Sequence, residues 1–147
     1  MIKLKHLLNE IVEENSIQSI IDRVYPQIVK DLGGQMKPVE VHENIWKSLD
    51  AVGIEDLKRE QGNPDARYDP YDDIISLFSE KTNTEEDIIR SLLHEHTHTL
   101  QDQEEFKKLY DQGFNYGNHP FEKEAIRAER NWQKYFHVLQ QVSFGHL

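Results

Sequence analysis

The segment that most constrains this chain is a capped helical pattern between Thr84 and Gln101. Thr84 precedes Glu85-Glu86-Asp87, so its hydroxyl can accept a backbone hydrogen bond while Asp87 completes a capping box. The apolar residues that follow at helical spacing are Ile88, Ile89, Leu92, Leu93 and Leu100. The pattern predicts an amphipathic helix, and the apolar face of that helix requires other elements to pack against it.

Within this helix stands His94-Glu95-His96-Thr97-His98, which contains the pattern HExxH. On a helix, His94 and His98 lie one turn apart on the same face, so both imidazoles can bind one ion. Zinc accepts imidazole nitrogen in tetrahedral geometry, which leaves positions for a third protein ligand and a water. Glu95 lies beside that face, where its carboxylate can take a proton from the water. The motif therefore predicts a Zn(II) site with Glu95 as general base.

Two further polar residues flank this predicted site. His96 points away from the face of His94 and His98, which indicates packing or solvent exposure rather than metal binding. Asp102, one turn past His98, is either an acceptor for the second ring nitrogen of a ligand imidazole or a solvated charge.

A third ligand is expected downstream, in the segment from His119 to Ala125. Its candidates are Glu124, Glu122 and His119. The two glutamates are about 200° apart around a helix, so they cannot both face one metal. The residues by themselves leave the choice among the three candidates open.

Composition narrows the class of protein. The chain has 147 residues, enough for one domain with a modest core, and carries a formal net charge of −10. This acidity argues against nucleic acid or a membrane surface as partner. Because cysteine is absent, a transition-metal site must use His and carboxylates. No apolar run reaches bilayer length and the N-terminus does not resemble a signal peptide, so we expect a cytoplasmic or virion-associated protein.

A single α+β domain over residues 1–147 is the arrangement that the hydrophobic patterns predict. Helical spacing and strand-like alternation place N-terminal helices within 1–34 and a core within 37–140. The expected elements are helices 2–14 and 17–32, a small, mostly antiparallel sheet of about three strands (39–42, 66–68 and 73–79), a short helix near 54–60, the HExxH helix and a C-terminal helix 121–140. Pro26 lies inside the second helix and predicts a kink or a split there.

HEHTHTLQ, followed by a helix that carries Glu-Ala, resembles the zincin metallopeptidases of the gluzincin type. The resemblance covers about residues 37–140 and implies a compact zincin-like fold that hydrolyses peptide bonds in a peptide or protein substrate. The ligand glutamate of that group often directly precedes Ala, so the resemblance selects Glu124 as third zinc ligand beside His94 and His98. It also implies that Ile74–Ser79 is an edge strand that pairs with an extended substrate.

The same resemblance implies a side chain that donates a hydrogen bond to the developing oxyanion, since zincins tend to use Tyr or His for this purpose. Tyr116 and His119, in the loop before the last helix, are the candidate catalytic donors, with Tyr110 behind them. The opening MIKLKHLL is similar to small phage-encoded proteins.

The sequence is also compatible with two functions other than a peptidase. The chain could be a non-catalytic, zincin-like zinc-binding protein that serves as a structural or interaction component of a viral or other assembly. A water-bearing open coordination position in a cleft would separate the two. A pH-responsive His cluster that binds a partner without any metal is the third interpretation.

Overall fold

The structure is a computed structural model that describes residues 14–44 and 65–136. Its elements are α1 (Glu14–Leu32), β1 (Val39–His42), β2 (Ala66–Asp69), β3 (Ile74–Phe78), α2 (Glu85–Thr99), α3 (Gln103–Asp111) and α4 (Pro120–Glu129), and residues 132–136 are also helical. The predicted α+β class is confirmed. The predicted helix 2–14, apart from its last residue, and the predicted short helix 54–60 lie outside the described residues.

Helix α1 runs without interruption through the proline that predicted a break. Its buried face is made of Ile17, Ile20, Ile21, Val24, Tyr25 and Ile28. Pro26 lies on the exposed side of this helix, and the predicted split is therefore wrong. The helix ends where Gly33 takes a left-handed φ of 87°, a conformation that suits glycine, and its N–H bonds the carbonyl of Val29 at 2.8 Å.

The sheet has the strand order β1-β3-β2, with β1 parallel and β2 antiparallel to β3. The predicted mostly antiparallel sheet is therefore corrected to a mixed one. The expectation that Ile74–Ser79 forms an edge strand is wrong, because β3 is central. Its side chains explain this position: Ile75, Leu77 and Phe78 are fully buried, and a strand with neighbours on both sides buries more apolar surface than an edge strand.

The HExxH helix α2 packs against α1, α4 and the sheet, so it lies at the centre of the fold. The core joins Ile88, Ile89, Leu92 and Leu93 of α2 to the buried faces of α1 and β3 and to Tyr135. No described helix is both long and apolar enough to cross a membrane.

The single C-terminal helix predicted for 121–140 ends earlier than expected, at Glu129. The chain turns at Arg130 and Asn131 and is helical again over 132–136. Tyr135 on this last piece is buried, and its hydroxyl donates to Asp31 at 2.8 Å, which ties it to α1. The turn thus separates α4, which packs against the HExxH helix, from Tyr135, which is bonded to α1.

The turn between β2 and β3 depends on Asp73, whose φ of 60° is unusual for a residue other than glycine. Its carboxylate accepts hydrogen bonds from the hydroxyl of Tyr68 at 2.6 Å and from Nζ of Lys37 at 2.9 Å. These bonds hold the pKa of Asp73 below its usual value. One side chain therefore joins the hairpin to the segment that enters β1.

We expect D73A to lower the free energy of unfolding by about 1–2 kcal/mol, because both hydrogen bonds are lost and alanine tolerates a left-handed backbone poorly. D73N is the matched control, since asparagine accepts this conformation and keeps an acceptor oxygen, so its loss should be smaller. Because the folded-state pKa is lowered, the charge of Asp73 contributes its full stability above about pH 4, and the difference between wild type and D73N should shrink as the pH falls below that value and through the lower folded-state pKa. Urea unfolding measures all three proteins, and a D73A variant as stable as wild type would contradict the role given to Asp73.

Candidate metal centre

Local sequence explains why the motif forms on a well-defined helix. The hydroxyl of Thr84 accepts from the backbone N–H of Asp87 at 3.1 Å, as the capping pattern predicts. Glu85, Glu86 and Asp87 put negative charge in the first turn, where the helix dipole favours it. Every residue from Leu92 to His98 is buried. The motif therefore lies in the interior, between the elements packed on α2.

His94 and His98 point at each other through the same ring nitrogen. Their Nε2 atoms are 3.1 Å apart, and the two rings meet edge to face. Both residues are nearly buried, with 8% and 7% of their surface exposed. In a tetrahedral zinc site with bonds of about 2.0–2.1 Å, two ligand nitrogens lie about 3.3 Å apart. The pair is thus arranged as two ligands of one ion would be.

Glu122, not Glu124, is the α4 carboxylate that joins the two imidazoles. Its Oε1 lies 2.5 Å from Nε2 of His98 and 4.0 Å from Nε2 of His94, and only 4% of the residue is exposed. Glu124 is exposed to solvent on another face of the same helix. The structure therefore brings Glu122, the second candidate, to the imidazole pair and does not bring Glu124 there.

Helix geometry explains why Glu122, and not Glu124, lies at the imidazole pair. Glu122 and Ala125 are the two buried residues of α4, and Glu129 shares their face at a spacing of three, four and seven residues. Ala125 is fully buried, so this is the face that packs on the HExxH helix. The Glu-Ala pair of the family resemblance selected Glu124, which directly precedes Ala125. Adjacent residues on a helix are about 100° apart, so Glu124 points away from the face of the buried alanine.

Glu95 is nine-tenths buried and lies beside the imidazole pair. Its Oε1 is 4.0 Å from Nε2 of His94, and among the described residues no side chain hydrogen-bonds its carboxylate. Burial raises the pKa of Glu95; the imidazoles of His94 and His98 oppose this shift, and Glu122 and Glu129 add to it. Single donor atoms of His94, Glu95 and His98 also fall within 4.8 Å of one another. Glu95 is therefore near enough either to bind an ion or to act on what the ion binds.

The outward-facing ring nitrogens of the two histidines are held by different partners. Nδ1 of His94 lies 2.7 Å from Oε2 of Glu129, and Nδ1 of His98 lies 2.6 Å from Oε1 of Gln101. Both partners are acceptors, so each Nδ1 carries a proton and Nε2 is the nitrogen of each ring that an ion at the centre would bind. Gln101 is itself fixed by its Nε2, which donates to the carbonyl of Phe121 at 2.9 Å.

Neither of these partners was identified from the sequence. Asp102 was the candidate acceptor for an imidazole, but its side chain caps α3 by accepting from the N–H of Glu105. The signal that could have found Glu129 was its spacing of seven residues from Glu122, which returns to the same helix face. Gln101 accepts from His98 because of the backbone conformation just after the end of α2, and no local sequence pattern specifies that conformation.

Tyr116 lies over the centre, in the loop between α3 and α4. Its ring is stacked on that of His94, at 17° between planes and 6.4 Å between centroids. The loop is held by two reciprocal bonds, in which the N–H of Asn115 bonds Oδ1 of Asn118 and the N–H of Asn118 bonds Oδ1 of Asn115. Partial desolvation, with 56% of the residue still exposed, and then the charges of nearby carboxylates raise the pKa of Tyr116 to about 12. Its hydroxyl therefore stays protonated and able to donate at neutral pH.

His119, the other predicted catalytic donor, has a structural position instead. It is fully buried, its Nε2 bonds the carbonyl of Phe106 at 2.9 Å, and its Nδ1 accepts from the N–H of Phe121 at 3.0 Å. It is thus the N-cap of α4. Both ring nitrogens of His119 are therefore used in hydrogen bonds within the fold.

The charge balance of the centre favours a cation. The carboxylates of Glu95, Glu122 and Glu129 surround two imidazoles, and Arg90 approaches only the outermost of them, with Nη1 3.9 Å from Glu129. Burial by itself lowers the pKa of His98, but its hydrogen bond to Glu122 and the charge of Glu95 outweigh this effect and raise it. Buried carboxylates are costly unless a cation or protons neutralise them. A divalent cation between the Nε2 atoms would supply that charge.

Comparison of the chain with protein-family models, curated proteins and solved structures finds no match. The inference about this centre therefore depends on its residues and their geometry.

We expect E122A to weaken zinc binding much more than E124A does, because only Glu122 reaches the imidazole pair. The two changes remove the same group from the same helix, so E124A controls for effects on α4 itself. Titration of each apoprotein with zinc against a competing chelator measures the affinities. Equal affinities, or a larger loss in E124A, would contradict the assignment of Glu122.

Removal of the Glu129 carboxylate should lower zinc affinity about 10–100-fold, because His94 then loses the acceptor that fixes its ring and its protonated nitrogen. The variant is E129A, measured by the same competition and again compared with E124A. An E129A protein that binds zinc as tightly as E124A would show that the contact between Glu129 and His94 does not serve the centre.

Proposed function

We propose that this protein is a zinc-dependent metallopeptidase of the zincin type, with zinc held by His94, His98 and Glu122. The observation that carries the proposal is the convergence of these three side chains beside a separate, nearly buried glutamate, Glu95. The sheet, the HExxH helix and a following helix that brings the glutamate are the arrangement implied by the resemblance to zincins. The proposal retains the mechanism expected from the sequence and replaces Glu124 as ligand.

The donor set fits zinc by its chemistry. Two imidazole nitrogens and one carboxylate oxygen are borderline ligands of the kind that zinc prefers, and three protein ligands leave the fourth position open for catalysis. The Nε2 atoms face the centre and can bind a metal, because Glu129 and Gln101 accept hydrogen bonds from Nδ1–H and so keep the ring proton at Nδ1.

Glu95 is the proposed general base. When bound, zinc would polarise the substrate carbonyl and make a water more acidic. Glu95 would take a proton from the attacking water and pass it to the amine that leaves. The raised pKa of this buried carboxylate makes it a better proton acceptor than an exposed glutamate.

Tyr116 is the proposed donor to the oxyanion. Its hydroxyl is protonated at neutral pH, and its ring lies parallel to that of the ligand His94. The bonds between Asn115 and Asn118 hold the turn that carries it, so less ordering is required when substrate binds.

An extended peptide would pair with an edge strand of the sheet, and β2 is the favoured edge. Among the described strands it pairs with β3 alone, and it also packs against the HExxH helix that carries His94 and His98. A substrate strand added to β2 would bring its backbone past the zinc ligands.

We expect the zinc-loaded protein to cleave members of a peptide library and E95Q to lose about 10²–10⁴-fold in kcat while it keeps its zinc. E124Q, the same acid-to-amide change at an exposed position, should cleave like wild type. Mass spectrometry of the library and elemental analysis of the proteins provide the two measurements.

Each other outcome has a definite meaning. Loss of zinc in E95Q would make Glu95 a ligand, and full activity in E95Q would remove it as base. A wild type that holds about one zinc per chain but cleaves nothing would favour the non-catalytic zinc-binding protein.

A further inference from the structure

His96, the middle residue of the motif, lies on the opposite side of α2 from the proposed zinc ligands and is fully buried. Its Nδ1 is 2.9 Å from the hydroxyl of Tyr25, and its Nε2 is 2.8 Å from the carbonyl of Gly33. Tyr25 is on α1, and Gly33 is the residue that ends it. The side chain therefore bonds the motif helix to α1 at two separate points.

The direction of each bond in this network follows from what its members can donate. The carbonyl of Gly33 only accepts, so Nε2 of His96 carries the proton and donates. Nδ1 of the neutral ring then accepts from the hydroxyl of Tyr25, whose oxygen in turn accepts from the backbone N–H of Lys37 at 3.1 Å. Every donor and acceptor is used once, which gives His96 one defined ring orientation.

Two directional bonds on the back of a helix fix its rotation about its own axis. Positions two apart on a helix differ by about 200°, so His96 is nearly opposite both His94 and His98. The apolar contacts of α2, through Ile88, Ile89, Leu92 and Leu93, are non-directional and can adjust by repacking.

The rotation matters because metal sites tolerate little error. Side-chain atoms about 5–6 Å from a helix axis move by roughly 1 Å when the helix turns by about 10°. Metal–ligand distances must fall within about 0.2 Å of their normal values. A small rotation of α2 would therefore displace the Nε2 atoms of His94 and His98 from Glu122, which is carried by a different helix.

We propose that Tyr25 and His96 are positioning residues of the metal centre, which set the rotation of α2 so that His94 and His98 meet Glu122. The inference rests on the proposed function, because it takes the three side chains to be ligands of one ion. Tyr25 and His96 touch neither the ion nor a substrate. They act through the orientation of the helix that carries two of its ligands.

The experiment compares Y25F with Y135F. Both changes remove one hydroxyl from a buried tyrosine in the same core, and both break one bond to or from α1, since the hydroxyl of Tyr135 donates to Asp31. Of the two hydroxyls, that of Tyr25 makes a hydrogen bond to the HExxH helix, through His96, and that of Tyr135 does not. The pair separates positioning of the centre from general stability, which urea unfolding records for each variant.

The readouts are zinc affinity, by chelator competition, and the visible spectrum of the Co(II)-substituted protein, which reports coordination geometry. We expect Y25F to bind zinc at least about tenfold more weakly and to show shifted Co(II) bands, a loss in the range found when groups that orient metal ligands are removed. Y135F should match wild type in zinc affinity and in its Co(II) spectrum, even if its free energy of unfolding falls as much as that of Y25F.

His96 itself gives a second, graded test that does not depend on how Y25F folds. H96Q keeps one acceptor and one donor, whereas H96L keeps neither, so H96Q should retain more of the wild-type zinc affinity and Co(II) spectrum than H96L. Equal affinity and spectrum in Y25F and Y135F, or in H96Q and H96L, would overturn the inference while leaving the zinc site in place. A wild type that binds neither ion would overturn the proposed centre, and this inference with it.

Discussion

The burial of carboxylates next to two imidazoles, between the HExxH helix and α4, is the constraint on which the rest of this structure depends. Glu95 and Glu122 are each more than nine-tenths buried, and Glu129 lies behind His94. Such a group is stable only when its negative charge is balanced and its hydrogen bonds are made. The fold supplies the acceptors for both Nδ1 atoms, and the proposed divalent ion would balance the remaining negative charge.

The elements around α2 divide the work of holding that centre. Helix α4 brings Glu122 and Glu129 on one face, and the buried Ala125 between them lets the two helices approach closely. His119 caps the beginning of α4 and is surrounded by the rings of Phe106, Tyr110 and Phe121, so the start of the glutamate helix is anchored independently of any ion. Helix α1 supports α2 from behind through Tyr25. The proposed ligands are therefore carried by helices that are each fixed elsewhere, which is how a site keeps its geometry before a ligand arrives.

Features of the fold that depend on local sequence spacing could be predicted, whereas those that depend on contacts between distant segments could not. The capped helix, its HExxH face and the α+β class rest on local spacing, and these predictions are confirmed as elements of the fold. The strand pairing was harder to predict. The antiparallel hairpin β2–β3 is a local feature, whereas the parallel pairing of β1 with β3 joins residues more than thirty positions apart. The end of α4 at Glu129 was also missed, since the pattern of residues 121–140 continues beyond a turn that packing against α1 requires.

The sequence by itself determined that His94 and His98 share a helix face with Glu95 beside them, because a period of 3.6 residues leaves them no other arrangement. It also offered three candidates for the proposed third ligand. Only the tertiary structure shows where they lie: Glu122 faces the imidazoles, Glu124 faces solvent, and His119 caps α4. Glu129, Gln101 and the link from His96 to Tyr25 are likewise contacts between segments distant in the chain or at its turns. Their geometry depends on how whole helices pack, and local spacing carries no information about that packing.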